Sequence, residues 1–205
     1  MSAPWQPLLD WWFGAAGSGP DVTAAEVAAS RTALWFAKQD RQDGQAREQL
    51  GGLVDQALAG QLHDWLGEPE GWLATLLLLD QLPRMIFRDT PRAFAGDALA
   101  RASALRGLAQ GWDQQLPPIQ RVFVYLVLEH AEDLALQNQA VRLFQALTQE
   151  ATAAEHELFA GYLDYAECHQ RVIARFGRFP HRNQILGRSS SAKESAFLLE
   201  PGSRF

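Results

Sequence analysis

Apolar side chains recur at intervals of three and four residues along most of this chain. Between residues 46 and 58, for example, Leu50, Val54 and Leu58 follow one another at four-residue steps. This spacing places apolar side chains on one face of an α-helix and is typical of amphipathic helices. No segment shows the convincing alternation of a half-buried strand. We therefore predict an all-α protein, whose short connections favour antiparallel neighbouring helices.

Two segments are apolar on every face and predict buried helices. They cover residues 72–79 and 122–128. The first contains leucine and alanine rather than β-branched residues, which favours a helix over a strand. The two segments are followed by the carboxylates of Asp80 and Glu129. A charge at the end of an apolar helix is costly unless it is paired, so both carboxylates need partners.

Capping signals and helix breakers set the expected helix bounds. Thr23 with Glu26, and Ser191 with Glu194, have the spacing of a capping box, in which two side chains satisfy the backbone at a helix start. Glycine and proline mark several ends. The predicted helices cover residues 8–13, 23–37, 46–58, 72–79, 97–110, 119–130, 134–149, 153–176 and 191–199, with a polar break at 39–44.

Length, charge and cysteine content narrow the class of protein. A length of 205 residues suits a single helical domain, with a short helix and linker over residues 1–20 and a loose tail over 200–205. The net charge of -6 argues against generic nucleic-acid binding. The single cysteine excludes an intrachain disulfide, and no signal peptide or membrane-spanning run is recognisable. We expect a cytoplasmic protein with no nucleic-acid partner and no membrane partner.

Positive charge is concentrated near the C-terminal end of the chain. No acidic residue occurs from Cys168 to Lys193, a segment that contains five arginines. Within it, Gly177 and Pro180 end the preceding helix. Aromatic rings are interleaved with the guanidiniums, and buried guanidiniums need carboxylates or an anion nearby. The segment therefore predicts either an ion-pair network with distant acids or a site for an anionic ligand.

Three histidines, His130, His169 and His181, are candidates for chemistry. His169 falls on the predicted inner face of the longest helix together with Tyr165, where a histidine is more often a core residue than a ligand. No tight Cys or His spacing indicates a metal site, and no Gly-x-Ser-x-Gly indicates a serine nucleophile. The glycine-rich residues 14–19 lack the lysine of a phosphate-binding loop. We therefore expect no metal and no cofactor.

Several short motifs carry a resemblance that covers almost the whole chain. They are WWFG at residues 11–14, LDQLPR at 79–84, AFAGD at 93–97, LEHAE at 128–132, RFGRFPHRN at 175–183 and LGR at 186–188. Together they resemble a bacterial domain-of-unknown-function family, number 924. Met85 stands where that family usually has Asn, and Ala131 where it often has Ser. The resemblance implies a tetratricopeptide-like superhelix of antiparallel helices, and it implies no activity because none is established for the family.

A first hypothesis is that the protein is a binding module. Arg84, Arg178 and Arg182 would hold a peptide terminus, a carboxylate or a phosphate, because a planar guanidinium pairs with such groups through two parallel hydrogen bonds. Helical-repeat folds often bind their partners in a groove, which is an analogy at the level of the fold. The predicted ligand-binding residues are Asp80, Arg84, Glu129, His130, His169, Arg178, His181 and Arg182.

Two further hypotheses stay open. In one, a hydrolase-like enzyme uses Glu129 as a base and His130 or His181 as its acid–base partner, while arginines stabilise developing negative charge. In the other, the same groups form a purely structural network of buried salt bridges. The network predicts that Asp80 and Glu129 each lie within salt-bridge distance of an arginine.

Overall fold

The periodic segments form helices in the computed structural model of the chain, which describes residues 2–14 and 22–203. Those residues contain no β-strand, and their helices pack into one domain, so the all-α prediction is confirmed. The tetratricopeptide-like superhelix stays a prediction. The α-helices are Gln6–Phe13 (α1), Ala24–Phe36 (α2), Asp40–Leu58 (α3), Pro69–Leu76 (α4), Leu82–Ile86 (α5), Asp97–Ala109 (α6), Pro118–Glu129 (α7), Leu134–Glu150 (α8), His156–Phe176 (α9) and Ala192–Phe197 (α10).

Both predicted capping boxes are present. The Thr23 hydroxyl accepts the backbone N–H of Glu26, whose carboxylate accepts the backbone N–H of Thr23, at the start of α2. Ser191 and Glu194 make the same reciprocal pair at the start of α10. Each box satisfies two backbone groups that a helix start leaves without partners.

The polar break predicted at residues 39–44 is wrong, because α3 begins at Asp40. Asp40 and Asp43 lie in its first turn, where acidic side chains suit the positive end of the helix dipole. Apolar periodicity cannot detect such a polar first turn.

On α9, Tyr165 does not lie on the inner face as predicted, since it is 63% exposed.

The first buried helix does not end at Asp80 as predicted. Pro83 indicates an end there, because it lacks an N–H and its ring clashes with the carbonyl four residues earlier. Instead α4 continues through a π-helical turn, Leu77–Gln81, into α5. The N–H of Leu82 bonds to the carbonyl five residues back, in a wider turn that accommodates the proline. This turn places Asp80 inside the core, where it is 1% exposed.

Helix α7 lies at the centre of the core, against α2, α4, α6, α8 and α9. Its Phe123 ring meets Trp12, Phe13 and Trp35 edge to face, at centroid distances of 5.4, 5.3 and 4.8 Å. Aromatic contacts of this geometry add to the stability gained from burial. The core therefore fixes α7, and with it the position of the polar residues that follow Leu128.

The arginine-rich segment after α9 turns back into the protein. Helix α9 ends at Gly177, whose φ of 68° is in the left-handed region that glycine adopts without strain. The chain then buries Phe179, Arg182 and Asn183 around the 3₁₀ turn Pro180–Arg182. The aromatic side chains thus anchor this segment in the core, as their size predicts.

Parts of two predicted segments lie outside the described residues, namely the linker residues 15–20 and the tail residues 204–205. Within the predicted tail, Ser203 is buried and its hydroxyl donates to the carbonyl of Leu198 at 3.2 Å.

None of the helices in residues 2–14 and 22–203 combines the length and apolar character that a membrane crossing requires.

Candidate functional site

Asp80 lies at the centre of a group of buried polar side chains. Its carboxylate accepts hydrogen bonds from Nδ1 of His130 at 2.9 Å and from Nε2 of Gln81 at 2.7 Å. Nη1 of Arg84 is 3.1 Å away. Burial alone would raise the pKa of Asp80, but attraction to Arg84 and to His130 outweighs it and holds that pKa well below its usual range. Asp80 is therefore an ionised carboxylate in a nearly solvent-free position.

Arg84 connects this carboxylate to helix α6. Its guanidinium donates two parallel hydrogen bonds to Asp97, at 2.8 and 3.0 Å, and a third to the backbone carbonyl of Asp80 at 2.8 Å. Paired bonds of this kind are among the stronger contacts in proteins. The side chains of Arg84 and Asp97 are 19% and 26% exposed, so this edge of the group reaches the surface.

Arg182 brings a second guanidinium to the same place from the C-terminal segment. Its Nη1 donates to the backbone carbonyl of His130 at 3.0 Å and lies 3.6 Å from the carboxylate of Asp97. The rings of Phe94 and Phe179 lie 5.0 and 4.4 Å from its central carbon, close enough for cation–π attraction.

These contacts compensate the charge of Arg182 incompletely. Nε has no hydrogen-bond partner in the described part of the chain. Burial, with repulsion from Arg84, lowers the pKa of Arg182 to about 10. A guanidinium with a lowered pKa is less well stabilised than it would be in water, so a further anion nearby would be favourable.

Glu129 has a histidine rather than an arginine as its partner. Its Oε1 is 2.9 Å from Nδ1 of His169, which also lies 2.9 Å from the carbonyl of Tyr165. Glu129 is 2% exposed, and no arginine of the described residues lies within ion-pair distance of it. The salt-bridge prediction is therefore wrong for Glu129, whereas Arg84 confirms it for Asp80.

His181 and Glu132 complete the polar group at the end of α7. Glu132 accepts two hydrogen bonds from Arg188, at 2.6 and 2.8 Å, and the backbone N–H of Phe179 at 2.8 Å. The His181 ring lies 5.6 Å from the ring of Phe179. Burial, followed by repulsion from Arg182, lowers the pKa of His181 to about 3, so this imidazole is neutral at pH 7.

Lowering the pH from 7 to 5 should destabilise the fold through His181. Its pKa is near 6.5 in the unfolded chain and about 3 in the folded one. Between these values the unfolded chain binds more protons, so acid favours unfolding, whereas above pH 6.5 the effect vanishes. We expect His181 to lower the free energy of unfolding by about 1–2 kcal/mol over this range, measured by urea unfolding.

Two substitutions test whether His181 causes this loss of stability at low pH. His181→Gln should flatten the dependence between pH 7 and 5, while His156→Gln, which changes an exposed histidine, should leave it unchanged. The remaining slope would come from His130, whose pKa is also lowered, mainly by burial, and to a smaller extent from Glu132, where burial would raise the pKa but the hydrogen bonds from Arg188 lower it. An unaltered slope in His181→Gln would contradict the prediction.

The structure brings together seven of the eight predicted ligand-binding residues. The exception is Arg178, which donates two hydrogen bonds to Glu194 at 2.6 and 2.9 Å and a third to the carbonyl of Ser189. Arg178 lines an open surface groove of about 820 Å³ with Arg175, Phe176 and Lys193. The histidine–arginine cluster, as we call the other group, consists of Asp80, Arg84, Asp97, Glu129, His130, His169, His181 and Arg182.

Asp97 belongs to the site but is not among the residues predicted for it, and neither is Phe94, whose ring lies beside both guanidiniums. The ring centroid is 5.4 Å from Arg84 and 5.0 Å from Arg182. The only available signal was the motif at residues 93–97, an acid directly after a glycine at a helix start. That pattern indicates a helix terminus and does not indicate a guanidinium partner.

The cluster combines groups that bind anions with groups that transfer protons. Two guanidiniums supply fixed positive charge, and two imidazoles each have Nδ1 beside a buried carboxylate. Within the described ranges, no group of three or more His, Cys, Asp or Glu side chains could hold a metal ion. The guanidiniums, imidazoles and carboxylates of the cluster can form ion pairs, donate and accept hydrogen bonds and transfer protons.

The fold and the cluster define an all-helical domain with a partly exposed group of arginines, histidines and carboxylates. The chain belongs to the family described as bacterial protein of unknown function (DUF924), whose model matches residues 8–202. It is also similar to the solved structure of the protein of unknown function ATU0120 from Agrobacterium tumefaciens. The two share 37% sequence identity, with a TM-score of 0.73, over 86% of this chain and 96% of that one. A search of the curated proteins found no match.

Proposed function

We propose that this protein is a helical binding module whose histidine–arginine cluster binds a small ligand bearing a carboxylate or phosphate group. The observation that supports this most is the state of Arg182. It is a guanidinium, 5% exposed, whose nearest carboxylate oxygen is 3.6 Å away and whose pKa is lowered. An anionic ligand at its side would supply the missing counter-charge through paired hydrogen bonds.

The surroundings of Arg182 suit a small ligand. His130 and His181 have lowered pKa values and so add no charge of their own at pH 7. The His130, Arg84 and Asp97 side chains are 16%, 19% and 26% exposed, which gives solvent access on this side. Asp97 is the nearby carboxylate that an incoming anion would meet, and its paired bonds to Arg84 reduce the repulsion.

Ligand-dependent stabilisation tests the proposal. Succinate and inorganic phosphate should each be titrated while the melting temperature and the heat of binding are measured. A free-acid tetrapeptide and its amidated form should be included, because only the first offers a terminal carboxylate. We expect at least one probe to raise the melting temperature in a concentration-dependent way, since a ligand that binds only the folded state stabilises it.

Variants of two arginines separate binding from general charge effects. Arg182→Gln should abolish the stabilisation, and Arg182→Lys should weaken it, because an ammonium lacks the planar fork. Arg175→Gln, which changes a side chain that is 53% exposed, should retain it. If no probe stabilises the wild type and Arg182→Gln only lowers its stability, the cluster is a structural network and the proposal fails.

A further inference from the structure

His130 is held in an orientation that leaves one ring nitrogen available for proton transfer. Nδ1 is 2.9 Å from both carboxylate oxygens of Asp80. An ionised carboxylate can only accept hydrogen bonds, so Nδ1 must carry the hydrogen. In a neutral imidazole Nε2 then has the free lone pair, and it makes no hydrogen bond to the described residues.

The carboxylate that orients His130 is itself fixed. Gln81 donates to it at 2.7 Å, and Arg84 lies 3.1 Å away. These partners prevent the carboxylate from rotating away from the imidazole. The side chain of His130 is partly exposed, while that of Asp80 is buried. A partly exposed imidazole oriented by a buried carboxylate is an arrangement that supports general base catalysis.

We propose that His130 is a general base that activates water for hydrolysis of an acyl ester whose acid part carries a carboxylate. This inference rests on the proposed function, because Arg182 is the group that would hold that carboxylate. Arg182 is adjacent to the base, since its Nη1 bonds to the backbone carbonyl of His130 itself at 3.0 Å. A substrate anchored at Arg182 would thus place its ester group close to the imidazole.

The reaction balances without any other reactant. Water attacks the carbonyl carbon as Nε2 of His130 takes its proton, which forms a tetrahedral intermediate and an imidazolium stabilised by Asp80. The bond from carbon to the alcohol oxygen then breaks, and that oxygen takes the proton back from Nε2. The products are the carboxylic acid and the alcohol, and His130 returns to its starting form.

Water is assigned as the nucleophile because no Ser, Thr or Cys side chain of the described residues is bonded to His130. An acyl ester is chosen over a phosphate monoester because uncatalysed hydrolysis of the latter is among the slowest reactions known. General base catalysis alone supplies about 10²–10⁴-fold, which suits the more reactive acyl ester.

Hydrolysis of 4-nitrophenyl hemisuccinate by the full-length protein tests this assignment, with 4-nitrophenyl acetate as the substrate that lacks the second carboxylate. We expect the protein to hydrolyse the hemisuccinate above its buffer rate. The ratio of the protein-catalysed rate to the buffer rate should be larger for the hemisuccinate than for the acetate. His130→Gln should lower kcat by about 10²-fold or more. His156→Gln, at an exposed position, should not change it. The wild-type rate should also be slower in deuterium oxide, a readout that requires no variant to fold.

The outcomes separate catalysis from binding. If the wild type binds succinate but hydrolyses neither ester above the buffer rate, the catalytic inference fails and the proposed function stands. If none of succinate, phosphate and the free-acid tetrapeptide binds and neither ester is hydrolysed, both fail. An unchanged rate in His130→Gln, or equal rates in water and deuterium oxide, would also overturn the role of His130.

Discussion

Replacing Asp80 with alanine is expected to lower the free energy of unfolding by about 3–5 kcal/mol, the usual cost of removing one member of a buried ion pair. Asp80 is 1% exposed and accepts from His130 and Gln81 while facing Arg84 at 3.1 Å. Its removal leaves Nδ1 of His130 without its acceptor and Arg84 with less counter-charge. Urea unfolding at pH 7 measures the change.

Asp55→Ala is a matched control for Asp80→Ala. Asp55 also faces an arginine, Arg92, but its side chain is 59% exposed. Exposed ion pairs contribute about 0–1 kcal/mol, so a small loss is expected there. A double-mutant cycle of Asp80→Ala with Arg84→Ala should then show coupling, because the two side chains are in contact. A loss in Asp80→Ala no larger than that in Asp55→Ala would contradict the buried-network description.

The all-α fold can be predicted from the sequence because its main cause is the burial of one face of each helix. Such burial requires apolar residues at intervals of three and four along the chain. The capping boxes at Thr23 and Ser191 were equally predictable, since they depend only on residues three positions apart. The π-helical turn was not predictable in this way. Pro83 indicates a helix end by local rules, and only packing around Leu77–Gln81 makes a wider turn preferable.

Most residues of the candidate site could be predicted from the sequence, but the contacts between individual side chains could not. A buried carboxylate at Asp80 requires a cation, and Arg84 lies one helical turn away on the same face. Glu129 is the last residue of α7 and His130 directly follows it with helix-like backbone angles, so their side chains project about 100° apart. They therefore meet different partners, His169 for one and Asp80 for the other. Such pairings depend on how three helices and a loop are placed, which spacing along the chain does not encode.

The partners of Arg178 and Arg182 also could not be predicted from spacing along the chain. Both lie in one short basic segment, and local reasoning places them in one pocket. The chain between them contains a fully buried Phe179 and a 3₁₀ turn at Pro180–Arg182. Arg178 consequently meets Glu194 on α10, whereas Arg182 meets the end of α7. Which carboxylate each guanidinium reaches is decided by that turn.

Replacing Gly96 with alanine should also be strongly destabilising, by roughly 2–3 kcal/mol, a typical cost of overpacking. A Cβ built on Gly96 would lie 2.1 Å from the carbonyl oxygen of Leu79 and 2.9 Å from its carbonyl carbon. That oxygen is the one whose usual helical donor is missing, because Pro83 has no N–H four residues later. The contact is between backbones, so neither side can yield by rotating a side chain. The methyl group of alanine would therefore force the start of α6 away from the π-helical turn.

The effect should reach the cluster, because Gly96 directly precedes Asp97 and Leu79 directly precedes Asp80. The backbone of Gly96 has φ and ψ of -89° and -8°, a negative-φ turn conformation that is also open to alanine, so a large loss reflects chiefly the contact. Gly52→Ala is the control: Gly52 lies in α3 with no atom near its Cβ position, and alanine there should be neutral or stabilising by up to about 1 kcal/mol. Urea unfolding compares the two variants. Equal stability of Gly96→Ala and Gly52→Ala would show that α6 can move away from Leu79 freely, and that the Arg84–Asp97 contact does not depend on this close approach.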